Sequence, residues 1–325
     1  MMVILQLGLV LVFSFGLVKG TEILVGALRR LAEQTGWDKF GLAALIIALS
    51  TSLPELLVGV TVALEGDPTL SLGNVLGSNI ANVSLVIGGA ALIGGSVGVV
   101  GQFLKRDFAT AFLVGALPLL LLLDGKLSRP ESLALLMVYG VYNWTVLKGK
   151  RAYSQTRQAV FVRILRRLRD GETDRNIVWL VGGAGLLVVS GEMLVRTAVN
   201  LAVGLQVPLF LVGMFVVSVG TVLPELSFEI EAIRKREAGM VFGNLLGTIV
   251  TNAALVLGVV GLISPISLPA GIRAYLIATI AFVMVFGVFW LLVRTKKRLD
   301  RWEGAILVLI YLVFAWLEFS RGRSF

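Results

Sequence analysis

The 325-residue sequence has no cysteine and no histidine. Disulfides and thiolate metal sites are therefore excluded, as are imidazole ligands and the usual proton shuttle. Charge is also scarce. Only 15% of residues are Asp, Glu, Lys or Arg, where a soluble domain carries about 25%. A soluble enzyme is excluded by that composition, and nothing in the sequence points to a resident cofactor.

In place of charge there are long apolar runs, with 57% hydrophobic residues overall. Phe112–Leu123, Ile177–Ser190 and Tyr275–Val293 approach or reach the roughly 20 residues that cross a bilayer as helix. The pattern predicts an all-α membrane protein of ten spans, roughly at 2–28, 40–64, 70–96, 108–123, 130–147, 177–202, 209–233, 239–264, 272–293 and 302–320. Residues 1–20 read as a retained span, since the first basic residue is Lys19.

The formal charge of +9 could suggest nucleic acid, but its placement argues against that partner. Connections after the first, third, fifth, seventh and ninth expected spans hold 22 of the 29 Lys and Arg. The positive-inside rule places those connections in the cytoplasm of a prokaryotic plasma (inner) membrane and both termini outside. The largest contributor is the basic stretch 148–170, expected to lie on anionic lipid of the bilayer as a topogenic linker.

Shifted by 170 residues, the sequence overlays itself. Residues 38–88 align with 208–258 without a gap, 14 of 51 positions being identical. The identities concentrate at Thr51/Thr221, at Leu53-Pro54-Glu55-Leu56 against Leu223-Pro224-Glu225-Leu226, and at Gly73-Asn74 against Gly243-Asn244. Gly77/Gly247, Asn82/Asn252, Gly88/Gly258 and Glu22/Glu192 follow. Three segments result: a first five-span repeat (1–147, motif 50–82), a basic cytoplasmic linker (148–176) and a second five-span repeat (177–325, motif 220–252). With an odd number of spans each, the repeats insert inverted, a plan that places a transported ligand near the midplane.

A carboxylate at that depth is costly and marks a functional site by default. Ser52-Leu53-Pro54-Glu55 could be a capping box, but in the second copy Val222 occupies the cap position and cannot cap. Glu225 persists without that partner, so capping does not explain the pair. Pro54 and Pro224 remove an amide donor and disfavour helix just before them, predicting breaks near Ser50–Leu53 and Gly220–Leu223. Broken backbone and a carboxylate together describe a cation site.

The Gly73/Gly77 and Gly243/Gly247 pairs let another helix approach closely. Ser78, Asn82, Thr248 and Asn252 then offer oxygens at i and i+4 on one face; interhelical hydrogen bonding is the alternative for the two asparagines. Two carboxylates with carbonyls, hydroxyls and amides supply about six to eight hard oxygen donors, which suits Ca²⁺. A dehydration-reluctant Mg²⁺ fits such a cage poorly.

At these residues the chain resembles the cation/calcium exchanger superfamily, and most closely prokaryotic sodium/calcium exchangers. "STSLPE" with "GNVLGSNIAN" and "GTVLPE" with "GNLLGTIVTN" carry the resemblance, which covers essentially the whole chain. It implies that Glu55 and Glu225 coordinate Ca²⁺ and share Na⁺, and that Thr51 and Thr221 give backbone and hydroxyl oxygens. It further implies that Ser52, Ser78 and Thr248 lie at hydroxyl positions used for Na⁺, that Asn82 is a central polar position, and that the first helix and its repeat partner form a sliding gate. The chain departs from the family pattern at Asn252, where aspartate is common, at Val222, where a serine hydroxyl is lost, and at Ser50, where glycine is usual.

Glu229 and Glu231 have no acidic counterparts, Gly59 and Thr61 standing there in the first repeat. A helix-end salt bridge such as Glu231 with Lys235 is expected, with an acidic cytoplasmic vestibule as the alternative. Glu22 and Glu192 are expected to hydrogen-bond between helices, a proton or Na⁺ pathway being second. The reading is a monomeric multi-pass antiporter exchanging Ca²⁺ for Na⁺ by alternating access. H⁺ is the alternative counter-ion, neutralising the same glutamates, and a Ca²⁺-permeable channel is the alternative of another class.

Overall fold

The computed structural model describes residues 2–35, 52–99, 107–149, 172–268 and 271–322. In chain order these form α1 (Met2–Thr35), α2 (Leu53–Glu65), α3 (Pro68–Gly94), β1 (Val97–Gly98), α4 (Phe108–Leu121), β2 (Lys126–Leu127) and α5 (Arg129–Gly149). The second half holds α6 (Glu172–Leu205), α7 (209–221), α8 (Leu223–Arg234), α9 (Ala238–Ile263), β3 (Ile266–Ser267), α10 (Leu276–Lys296), β4 (Arg298–Leu299) and α11 (Arg301–Gly322).

Among the described residues, seven helices are long and apolar enough to cross a membrane: Leu5–Leu24, Pro68–Gly94, Val178–Leu205, Leu209–Arg234, Ala238–Ile263, Leu276–Lys296 and Arg301–Ser320. Three of the ten expected spans fall outside that group. The start of 40–64 lies outside the described residues, and 108–123 falls in the shorter apolar helix Phe108–Asp124. The stretch 130–147 sits in α5, whose Tyr139, Tyr142, Asn143 and Trp144 dilute its hydropathy.

Apolar burial is split between two separate cores. One joins α1 and α6 to α2, the first turn of α3 and one side of α7, through Leu17, Leu24, Val58, Leu70, Leu194 and Val217. The larger one joins α3, α4, α5 and α7 to α11, with Phe108, Phe112, Phe242, Phe282, Phe286 and Phe289 forming an aromatic layer between α4, α9 and α10. Within the first core α1 packs along α6 through small residues. A Cβ at Gly16 would strike Ser190, one at Gly20 would strike Leu187, and one at Gly183 would press on the Gly20 carbonyl.

Two short antiparallel clasps tie the halves together. Val97 and Gly98 pair with Leu299 and Arg298, and Lys126 and Leu127 pair with Ser267 and Ile266. The helices that follow β2 and β4 start alike. Glu131 accepts from the Ser128 amide at 2.8 Å, and Glu303 accepts from the Asp300 amide at 2.8 Å, so each glutamate satisfies an otherwise orphaned donor at a helix start. Nearby, the buried Tyr275 hydroxyl donates to the Leu122 carbonyl at 2.5 Å, where α4 ends in a 3₁₀ turn. Tyr275→Phe should lower stability by about 1 kcal/mol, read as a lower thermal-denaturation midpoint in detergent with uptake activity retained.

Candidate cation site

Proline positions both carboxylates. Pro54 and Pro224 occupy the first turns of α2 and α8, placing Glu55 and Glu225 in those same turns. The residues just before the helices adopt nearly one conformation, Ser52 at φ −86°, ψ 3° and Val222 at φ −85°, ψ 0°. This is the bridge region between α and β. Ser52 makes no side-chain cap, and its hydroxyl is buried without a partner among the described residues. The serine and the valine therefore hold the same backbone, and the proline that follows is what they share.

In the second repeat the expected four-residue unwinding shrinks to a single residue. α7 runs to Thr221, Val222 turns, and α8 begins at Leu223. Val222 N–H still donates to the Ser218 carbonyl at 3.0 Å, and Leu226 N–H to the Val222 carbonyl at 3.0 Å. Pro224 has no N–H to give the Gly220 carbonyl, so that carbonyl lacks its helical donor, and Val222 itself stands outside both helices. The expected first-repeat break at Ser50–Leu53 falls partly outside the described residues, Ser50 and Thr51 lying beyond them.

Around the carboxylates the two repeats interlock. α3 crosses α7 so closely that a Cβ at Gly73 would collide with the Phe210 carbonyl, and one at Gly77 with the Met214 carbonyl. That approach delivers Asn74 and Ser78 to Thr221. The Thr221 hydroxyl lies 3.2 Å from Asn74 Oδ1 and 3.3 Å from Ser78 Oγ, and all three residues are buried. The Thr221 and Ser78 hydroxyls flank Glu55, which lies close enough to Glu225 for their charges to interact. Both glutamates are fully buried, and none of their four oxygens has a hydrogen-bond partner within bonding distance among the described residues.

Asn82 and Asn252 lie one turn further along. Asn82 opens the π turn Asn82–Val86 of α3, and Asn252 sits in the π turn Thr251–Val256 of α9. Each π turn packs against the other helix. A π turn adds a residue to one helical turn and is frequent at functional sites. Both amides are buried with oxygen and nitrogen unpartnered among the described residues. The hydrogen bond between these helices comes instead from the neighbour Asn79, whose amide donates to the Ile249 carbonyl at 3.5 Å. Thr248 is buried on α9, one turn before Asn252.

Three expectations about other acidic residues need correction. Glu22 and Glu192 do not bond between helices; each pairs within its own, Glu22 with Lys19 at 2.6 Å and Glu192 with Arg196 at 2.8 Å, on exposed faces. A partner one turn away is nearer than any across the glycine-lined seam of α1 and α6. Glu231 pairs with Lys235 at 2.6 Å as expected. Glu229 does not belong to that helix-end pair: it is fully buried, beside Asn244 and within electrostatic reach of Glu225. Asn74 and Asn244 were also missed as site residues, although their repeat pairing next to Gly73 and Gly243 was a usable signal.

Two carboxylates amid hydroxyl and amide oxygens offer a hard, oxygen-only donor set. Among the described residues no group of three His, Cys, Asp or Glu is clustered for a metal, so neutral oxygens would complete any shell.

These features define a class, a multi-pass helical membrane protein with buried carboxylates set at helix breaks. The chain belongs to the sodium/calcium exchanger protein family, which matches residues 5–148 and 175–319. It is 27% identical to the sodium/calcium exchanger MaX1 of Methanosarcina acetivorans, over 96% of each chain. It is 31% identical to the inner membrane protein YrbG of Escherichia coli, over 81% of this chain and 79% of that one. Among solved structures, the sodium-calcium exchanger NCX_Mj soaked with 2.5 mM Na⁺ and 10 mM Sr²⁺ superposes with a TM-score of 0.66 at 25% identity, covering 96% of this chain and 98% of that one.

Proposed function

We propose that this protein is a secondary antiporter exchanging Ca²⁺ for Na⁺ by alternating access, both ions competing for Glu55 and Glu225. The observation that carries this reading is the repeat-related pair of fully buried carboxylates with unpartnered oxygens, held where each α2 or α8 helix begins. Left charged and unmatched, such groups cost several kcal/mol apiece. A divalent ion, or Na⁺ ions in its place, offsets that cost. Competition for one donor set then enforces exchange, because an empty site leaves buried charge uncompensated. The neighbouring Ser52, Ser78, Thr221, Thr248, Asn82 and Asn252, with Thr51, supply the remaining oxygens. MaX1 is named a sodium/calcium exchanger, and NCX_Mj was soaked with Na⁺, Ca²⁺ and Sr²⁺, which supports the same ions here.

The split core supports the conformational part of the reading. α1 and α6 belong to one apolar cluster, most of the remaining helices to another, and α2, α3 and α7 contribute to both; at the break in front of Glu225, Gly220 packs against Ser14 of α1. Sliding of the α1–α6 pair along that contact would change which side of the membrane reaches the site. Ten spans in two inverted repeats, cytoplasmic basic connections and external termini complete the arrangement in a prokaryotic plasma membrane, the protein acting as a monomer.

The test is ⁴⁵Ca²⁺ uptake into proteoliposomes under an outward Na⁺ gradient or an outward H⁺ gradient, each alone. Na⁺-driven uptake is expected. Uptake driven only by H⁺ would keep the site and replace the driver, and Val222, buried where a hydroxyl would otherwise stand, would then mark a proton-coupled carrier. Uptake that persists without any counter-ion would indicate a channel.

A further inference from the structure

Beyond the pair that defines the site, α8 carries a third carboxylate the antiport reading does not use. Glu229 lies one turn past Glu225 on the same face, toward Arg234. It is fully buried, and neither of its oxygens has a hydrogen-bond partner within bonding distance among the described residues. The nearest basic residue with an observed pairing, Lys235, is taken by Glu231. Asn244 on α9 stands beside Glu229, and Glu225 is within reach of its charge.

The feature belongs to one repeat only. At the matching position of α2 stands Gly59, where a Cβ would already press on Ser71, Val256 and Val260 at 3.0–3.1 Å. The first repeat thus fills this place with tight packing, whereas the second places a carboxylate there. A structural carboxylate at this depth would be matched by a basic side chain or a set of donors; among the described residues no basic side chain pairs with Glu229, and the Asn244 amide is the donor beside it. Nor, among the described residues, is it clustered with other acidic groups as one metal cage.

We propose that Glu229 holds a monovalent cation at a position of its own, beside the Glu55–Glu225 site on its Arg234 side. The inference rests on the antiport reading and extends it. One Ca²⁺ balances the two charges of Glu55 and Glu225 and leaves Glu229 over. When Na⁺ replaces Ca²⁺, one more Na⁺ is required to balance the third carboxylate, so Glu229 adds one ion to the Na⁺ side of the exchange.

The experiment is Na⁺ displacement of ⁴⁵Ca²⁺ from purified full-length protein in detergent, for the unmodified chain, Glu229→Gln, Glu229→Asp and, as an exposed control, Glu231→Gln. Glu229→Gln is expected to lower the Hill coefficient for Na⁺ by about one, while Ca²⁺ half-saturation without Na⁺ stays within about threefold. Glu229→Asp, which keeps the carboxylate, should retain the unmodified coefficient, and that comparison stands even where the glutamine variant does not fold. An unchanged coefficient in Glu229→Gln, or a lowered one in Glu229→Asp, would overturn the proposal. So would a collapse of Ca²⁺ binding in Glu229→Gln, since Glu229 would then be part of the divalent site. Failure of Na⁺ to displace Ca²⁺ from the unmodified protein would overturn the antiport reading itself, and this inference with it.

Discussion

Replacing Glu55 with glutamine should weaken Ca²⁺ binding by about a thousandfold and reduce Na⁺-driven ⁴⁵Ca²⁺ uptake to background, and Glu225→Gln should do the same. Glutamine keeps the shape of the side chain and one carbonyl oxygen but removes the negative charge. Two unit charges about 4 Å apart interact by about 4 kcal/mol at an effective dielectric of 20, and each 1.4 kcal/mol is about tenfold in affinity. Both glutamates are fully buried, so water screens little of that loss. The exposed Glu231, paired with Lys235 at 2.6 Å, gives the contrast: Glu231→Gln should leave binding and uptake unchanged, since an exposed pair contributes about 0–1 kcal/mol.

The outcome distinguishes a transported-ion site from a structural one. If the carboxylates only tied helices together, their substitution would lower stability and spare the competition between Na⁺ and Ca²⁺. The Thr221 and Ser78 hydroxyls that flank Glu55 can still donate to the carbonyl oxygen that glutamine keeps. Glutamine should therefore be tolerated by the fold, with monodisperse elution and an unshifted or raised denaturation midpoint. Retained binding in a well-folded Glu55→Gln protein would refute the assignment.

How much of this was legible in the sequence depends on what each feature needs. The repeat at 170 residues, the proline-set helix starts and the burial of Glu55 and Glu225 all follow from local chemistry, because a proline and a carboxylate inside an apolar run leave few alternatives. The near-identical backbone at Ser52 and Val222 shows why the lost hydroxyl at 222 was not a structural loss: the proline sets the turn. The π turns at Asn82–Val86 and Thr251–Val256 were invisible, since one extra residue in a helical turn leaves no mark on hydropathy. Glu229 was misread for a related reason. Five residues before the basic Arg234-Lys235-Arg236, it resembles part of a solvated helix end, and only the packing of α8 against α9 shows that it is enclosed. The two-residue clasps lie below the length at which a strand pattern can be read.

Gly77→Ala should destabilise the protein more than any other single methyl group added along α3, by about 1–3 kcal/mol. The glycine's Cβ position faces the Met214 carbonyl and Cα, atoms of a backbone that cannot rotate out of the way as a side chain could. Relief requires α7 to move away from α3, and α7 carries Thr221 at its end. The Thr221–Ser78 and Thr221–Asn74 contacts, at 3.3 and 3.2 Å, would stretch with it. The expected result is therefore double: a lowered denaturation midpoint and weakened Ca²⁺ binding from a residue with no ligand atom. Gly287→Ala on α10 is the control, because nothing lies within 4 Å of its Cβ position; there the methyl should be neutral or slightly favourable to the helix. A Gly77→Ala protein with unchanged stability would mean that α3 and α7 are less tightly joined than this crossing requires. Lowered stability with intact binding would separate the helix crossing from the site it delivers, leaving Thr221 without a part in Ca²⁺ affinity.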